Sequence, residues 1–183
     1  MVTETYRTIR TVWIIDGAYL MKAAPGRFDY LALRKALESE AGPIGEAYYL
    51  NSIAPPETEA QASFHTWLKS APPKGPKIRT QLYKVKGVGT DCPSCHARFE
   101  RTVQKGVDVG IVTLILKLAH QNRYDRLLLC TGDGDFEDAV QYVQSELGKE
   151  IVLAGFQDTV SADLQSYASR VLWLNELWDE IKR

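Results

Sequence analysis

Arg126-Leu127-Leu128-Leu129-Cys130, running into Thr131-Gly132-Asp133-Gly134-Asp135-Phe136, is the stretch on which the reading of the fold turns. The apolar run is short, as befits a strand buried on both faces. Two glycines then let the backbone turn sharply, and a helix is expected over Phe136–Leu147. A buried strand that stops at a polar turn and continues as a helix is the unit from which parallel α/β sheets are built.

The same alternation extends outward in both directions. Val12–Ile15 is an apolar run ending in Asp16-Gly17, and Ala47–Leu50, Ile78–Val85, Ile151–Ala154 and Val171–Leu174 read as further strands. Helices are expected over Tyr30–Ala41, with Asp29 as N-cap and Gly42-Pro43 as the stop, and over Pro55–Ser70 with Phe64, Trp67 and Leu68 on the buried side. Lys105–Asn122 shows helical spacing at Val107, Ile111, Leu114, Ile115 and Leu118. Ser161–Ala168 and the last residues complete the set. Residues 71–77 hold three prolines and a glycine and read as a loop. The sum is an α/β chain with a mainly parallel central sheet and helices on both faces.

Length and composition agree. At 183 residues the chain suits a single domain over 1–183, long enough to bury its own core. A net charge of −1 neither demands nor excludes a nucleic-acid partner, so the distribution of basic residues matters more than their sum. The first ten residues, MVTETYRTIR, carry no apolar signal core, and the longest apolar run, near Val109–Leu118, is too short to span a bilayer. Three cysteines are not a disulfide framework. A cytoplasmic protein with no membrane partner is therefore expected.

In open parallel sheets ligands gather beyond the carboxyl ends of the strands. That rule selects Asp16 and the Gly132–Asp135 turn. Each acid also has a plain structural reading. Asp16-Gly17 could be only a turn, Asp108 a favourable acid in the first turn of a helix, and Asp135 an N-cap with Asp138 three residues on. Asp133 is left without such a role, and neighbouring carboxylates repel unless a proton or cation intervenes.

Ile14-Ile15-Asp16-Gly17, Lys105-Gly106-Val107-Asp108-Val109 and Thr131-Gly-Asp-Gly-Asp-Phe136, followed by Ser161 to Leu174, resemble in order and spacing the NYN domains, in particular their LabA-like group. The resemblance covers nearly the whole chain. It implies a PIN-like Rossmannoid three-layer fold whose Asp16, Asp108, Asp133 and Asp135 bind Mg²⁺ or Mn²⁺ and carry RNA hydrolysis, with single-stranded RNA favoured. Lys105, Thr131, Ser161 and Tyr19 are the expected substrate contacts. Two departures stand out: the family's Asn three residues after the first Asp is Tyr19 here, and an acid six residues after the Asp of Lys-Gly-Val-Asp is Leu114. These keep open an alternative, a non-catalytic RNA- or protein-binding module with a decayed site.

Basic residues cluster at Lys74, Lys77, Arg79, Lys84 and Lys86, and again at Arg98, Arg101 and Lys105. They are expected either to line a phosphate path or to form a solvated face. Tyr19, Tyr83 and Phe99 have the chemistry to stack on bases, although core packing is the expected fate of each. Cys92-Pro-Ser-Cys95-His96 sits in a turn-rich insertion expected as a loop at about 87–100. The pattern also matches haem attachment, which needs export and a haem-sized apolar surround that this sequence does not offer. Two thiolates at this spacing form one edge of a tetrahedral Zn²⁺ site. His96, His65 or His120 would have to add to them, or a homodimer would have to pair two such edges. Cys130, inside an apolar strand, is expected simply to pack.

Overall fold

Strand β1 (Thr11–Asp16) is buried along its whole length and divides the core in two. Trp13 and Ile15 project into one apolar layer and Val12 and Ile14 into the other, as the two-residue period of a strand requires. In the computed structural model, which describes residues 8–103 and 106–183 (side chains of 86–88 and 99–103 excepted), β1 lies at the centre of a six-stranded sheet.

The chain moves from β1 to β2 (Ile44–Ile53) and β3 (Arg79–Lys84) on one side. A hairpin of β4 (Lys86–Asp91) and β5 (Arg98–Val103) follows as a separate two-stranded sheet. The chain then returns beside β1 as β6 (Arg126–Cys130) and proceeds outward through β7 (Glu150–Gly155) to β8 (Arg170–Trp173). The order is β3-β2-β1-β6-β7-β8, and each pairing is parallel.

Parallel crossovers are almost always right-handed, so reversing the direction of travel sends the helices to the opposite face. The helices obey this. Helices α1 (Gly17–Ala23), α2 (Tyr30–Ala41) and α3 (Glu59–Lys69), with the terminal α7 (Trp178–Ile181), bury Leu20, Leu33, Leu37, Leu68 and Ile181 against Trp13 and Ile15. Helices α4 (Val107–His120), α5 (Glu137–Ser145) and α6 (Ala162–Ser166) bury Ile111, Ile115, Val140, Val143 and Leu164 against Val12 and Ile14. The expected three-layer α/β fold is therefore present. Its winding reverses between β1 and β6, and such a switch point leaves a crevice at the carboxyl ends of the two strands.

Two expectations need correction. Asp16-Gly17 is not an isolated turn, because α1 begins there, with the Asp16 side chain accepting a hydrogen bond from the Tyr19 amide. A seven-residue helix shows too little periodicity to announce itself. The insertion at 87–100 is not a loop but the β4–β5 hairpin, paired from Lys86↔Val103 to Asp91↔Arg98. Gly87, Gly89 and Pro93 are turn signals that masked two strands with little apolar alternation. A smaller shift concerns α3, which starts after Thr58, where a capping box with Gln61 satisfies the first amides.

Candidate metal centre

Asp16 ends β1 and is only 8% exposed. Its carboxylate accepts from the Tyr19 amide at 3.1 Å and from the Thr131 hydroxyl at 3.3 Å. Thr131 follows β6, the hydrogen-bonded neighbour of β1, and its hydroxyl oxygen accepts from the Asp133 amide at 3.3 Å. One hydroxyl thus couples the acid of one central strand to the acidic turn of the next. Thr131 is fully buried, and its hydroxyl is engaged by Asp16 and the Asp133 amide.

The turn itself corrects a further expectation. Asp133, not Asp135, is the capping residue, accepting the Asp135 amide at 3.0 Å across a 3-10 turn over Gly134–Phe136. Helix α5 then starts without a side-chain cap, which leaves the Asp135 carboxylate without that duty. Both acids are exposed. Gly132 is required by close approach, since a Cβ there would lie 1.9 Å from the Thr159 carbonyl oxygen and 2.6 Å from the Tyr19 ring. The Gly132 carbonyl accepts from the Ser161 amide at 2.9 Å. Ser161 precedes α6 without capping it, and stands against Gly134.

Asp108 stands in the first turn of α4, in the same layer as α5. Partial burial raises its carboxyl above the ordinary range, and the charges of Asp133 and Asp135 raise it further. Burial likewise raises Asp16, opposed by its hydrogen bonds and reinforced by the charge of Asp108. The four acids from three chain segments therefore sense one another. Among the described residues none of the four has a basic ion-pair partner, and no three His, Cys, Asp or Glu side chains stand close enough together to hold a metal ion. These facts are compatible, because Coulomb repulsion reaches further than coordination. An open group of hard oxygen donors fits Mg²⁺, which keeps several waters and takes one or two protein carboxylates. Lys105, expected beside this group, lies outside the described residues.

Tyr19 occupies the place where the related domains carry Asn, and its hydroxyl is committed to the fold. It accepts from the Phe156 amide at 3.0 Å and donates to Thr159 Oγ1 at 2.7 Å, while Thr159 donates onward to the Phe156 carbonyl at 2.8 Å. Thr159 was not legible as a site residue, since a loop threonine carries no spacing signal. Its role is to seat the loop over Gly132. Replacing Tyr19 with Phe strands one amide and is expected to cost about 1 kcal/mol, lowering Tm by roughly 2–4 °C. Thermal unfolding checks it, and an unchanged Tm would remove the tether from the argument.

The basic residues divide by strand direction. Arg79 begins β3, pairs with Glu46 and lies over the Tyr48 ring at 5.3 Å. Lys77 shares a cavity with Gly45 and Glu46 at that same amino end. Lys84 ends β3, about 17 Å along the strand from Arg79, on the side of the acids. Arg79 and Lys77 are therefore removed from any path through the acidic crevice. The side chains of Lys86, Phe99 and Arg101 lie outside the described residues. Tyr83 is half-buried against Gly106 and Gly110. With Gln81, Val109, Thr113 and Lys117 it lines a cavity of about 400 Å³ that runs along α4 from its start to its last turn. Leu114 forms part of the core beneath it.

The cysteines separate as well. Cys130 is buried, its sulfur accepts from Trp13 Nε1 at 3.1 Å, and burial pushes its thiol up to about 12. Cys92 and Cys95 sit at the tip of the hairpin. His65 is buried against Glu57, and His120 packs on Tyr142. His96 is not gathered with the two thiols into a three-ligand group.

A model of the NYN domain family matches residues 10–175. Comparison with curated proteins finds no match. Among solved structures, the chain is similar to a protein of unknown function from Vibrio parahaemolyticus. The two share 18% identity at a TM-score of 0.69, over 97% of this chain and 99% of that one. At that identity the likeness speaks for the fold alone, and the fold agrees with the sheet order above. Matched over nearly its whole length by the family model, this chain belongs to the NYN domain family.

Proposed function

We propose that the chain is a Mg²⁺- or Mn²⁺-dependent ribonuclease of the cytoplasm that hydrolyses phosphodiester bonds of single-stranded RNA. The observation that supports this reading is that Asp16 and the Asp133–Asp135 turn follow the two adjacent central strands at the switch point of the sheet, with Asp108 near enough to be raised by Asp133 and Asp135 and to raise Asp16, and none of the four with a basic partner among the described residues. Family membership supports it, because the NYN domain has a PIN-like nuclease fold. A divalent ion held by these acids would stabilise charge on the phosphate and orient the attacking water.

The chain's own residues divide the remaining work. Thr131 and the Tyr19 amide fix the orientation of Asp16. The Asp135 amide fixes Asp133. Asp135 and Asp108 face solvent and are free to meet metal-bound water or phosphate. The cavity beside α4, with the Tyr83 ring and Lys117 on its wall, offers a strand entering the site both an aromatic surface and a cation.

A second reading has one specific observation behind it. Leu114 is 7% exposed and packed in the core, so the acid that related domains place at that position has no substitute on α4. A non-catalytic RNA- or protein-binding module would follow if the remaining acids hold no metal. Incubation of labelled single-stranded RNA with the protein in Mn²⁺, Mg²⁺ or EDTA separates the two. Cleavage that appears with metal and stops with EDTA is the expected result. RNA retained but never cut, across several sequences, would favour the binding module.

A further inference from the structure

Cys92-Pro-Ser-Cys95 has no part in the acidic crevice, and the fold gives it a place of its own. It forms the tip of the β4–β5 hairpin, which belongs to a separate sheet from the six-stranded one. The turn is closed by the Cys92 amide donating to the Ala97 carbonyl at 3.0 Å and the His96 amide donating to the Cys92 carbonyl at 2.9 Å. His96 takes a left-handed conformation (φ 55°) to complete it. Within this turn the backbone amides of Ser94 and Cys95 aim at the Cys92 sulfur, and the Cys95 thiol lies against it. Two sulfurs are thereby held side by side at an exposed tip, one of them already receiving the N–H groups that support a thiolate.

We propose that Cys92 and Cys95 are one half of a tetrahedral Zn²⁺ site, and that a second copy of this chain supplies the other half with its own Cys92 and Cys95. Three considerations lead there. Structural zinc sites are closed and four-coordinate, with Cys₄ a common donor set. Among the described residues no third ligand joins the pair, so the shell has to be completed from outside. A twofold pairing of identical tips supplies two further thiolates with no new chemistry, since such an interface is self-complementary.

The hairpin has physical reason to need the clip. An isolated two-stranded hairpin is marginal in water, and β4 carries two glycines, Gly87 and Gly89, that weaken a strand. Charge also agrees. Four thiolates around Zn²⁺ leave a net double negative charge, and Arg98 stands at the start of the strand that leaves each tip. On binding, each thiol gives up its proton to solvent as its sulfur takes a position on the metal. The proposal is independent of the acidic crevice.

The test uses the full chain, purified in reducing buffer and given one equivalent of Zn²⁺. Bound metal is measured by elemental analysis, and mass by light scattering after gel filtration. About one zinc per two chains in a dimer, falling to monomer when a strong chelator strips the metal, is the expected result. Co²⁺ in place of Zn²⁺ should give a thiolate-to-cobalt charge-transfer band. Cys92→Ser and Cys95→Ser should each lose that band, the zinc and the dimer, while far-UV circular dichroism stays that of the wild type. No zinc retained, one zinc per monomer, or a Cys92–Cys95 disulfide that forms in place of metal uptake would each overturn it. Zinc retained by both serine variants would place the metal elsewhere and overturn it as well.

Discussion

Asp133→Asn is expected to lose metal-dependent RNA cleavage by more than about 100-fold, since even partners one step removed from a metal cost 10–100-fold when mutated. The variant should fold as well as the wild type. Asn caps helices as effectively as Asp, so its side-chain oxygen can still accept the Asp135 amide. What disappears is a negative charge that presses on Asp108, and its removal relieves repulsion in the metal-free protein. Cleavage rates in Mn²⁺ and Tm in EDTA, measured on both proteins, check the two halves. A variant with wild-type cleavage would reject Asp133 as a ligand. A variant that fails to fold would show that the charge itself holds the turn, contrary to the geometry.

Gly132→Ala should have the largest effect on stability among substitutions near the site. The added methyl would stand 1.9 Å from the Thr159 carbonyl oxygen, which is backbone, and 2.6 Å from the Tyr19 ring. Neither neighbour can retreat independently. The Thr159 side chain is bonded to the Tyr19 hydroxyl, and that hydroxyl also holds the Phe156 amide. Overpacking of this kind costs about 3 kcal/mol, or a fall in Tm of about 6–12 °C for a chain of this size. Gly45→Ala is the matched control. Its nearest contact would be an ordinary 3.6 Å to the Thr11 carbonyl, and such surface changes shift stability by less than about 0.5 kcal/mol. Equal Tm values for the two variants would show that the loop over Gly132 is not fixed as described.

The two predictions address different things. Loss of cleavage with an intact fold speaks to charge at the crevice. Loss of fold at Gly132 speaks to how the acidic turn is held against the 156–161 loop. Asp133 and Gly132 are one residue apart, so the contrast between them tests geometry finer than a motif can express.

Much of the fold is legible in the chain of residues alone. The apolar runs at Val12–Ile15, Arg126–Cys130 and Ile151–Ala154 require buried strands, and their alternation with helical segments requires a parallel sheet. The acids at strand ends mark the crevice by position alone, because parallel sheets bind ligands there. What stays hidden is whatever depends on short elements or on contacts between distant segments. Helix α1 has too few residues to show a period, and the β4–β5 hairpin lacks the alternation that a strand packed on a core would show.

The sequence by itself determined the layer architecture, because burial patterns are local properties of a chain, and the resemblance of its motifs to NYN domains marked four acids as the candidate site. Only the tertiary structure decided which neighbours those acids have. It gave the cap to Asp133 and left Asp135 open, buried Thr131 as a bridge to Asp16, and turned Tyr19 inward to seat a loop from 140 residues away. The Thr131 and Tyr19 contacts join segments more than 100 residues apart, which no local pattern in the chain can express.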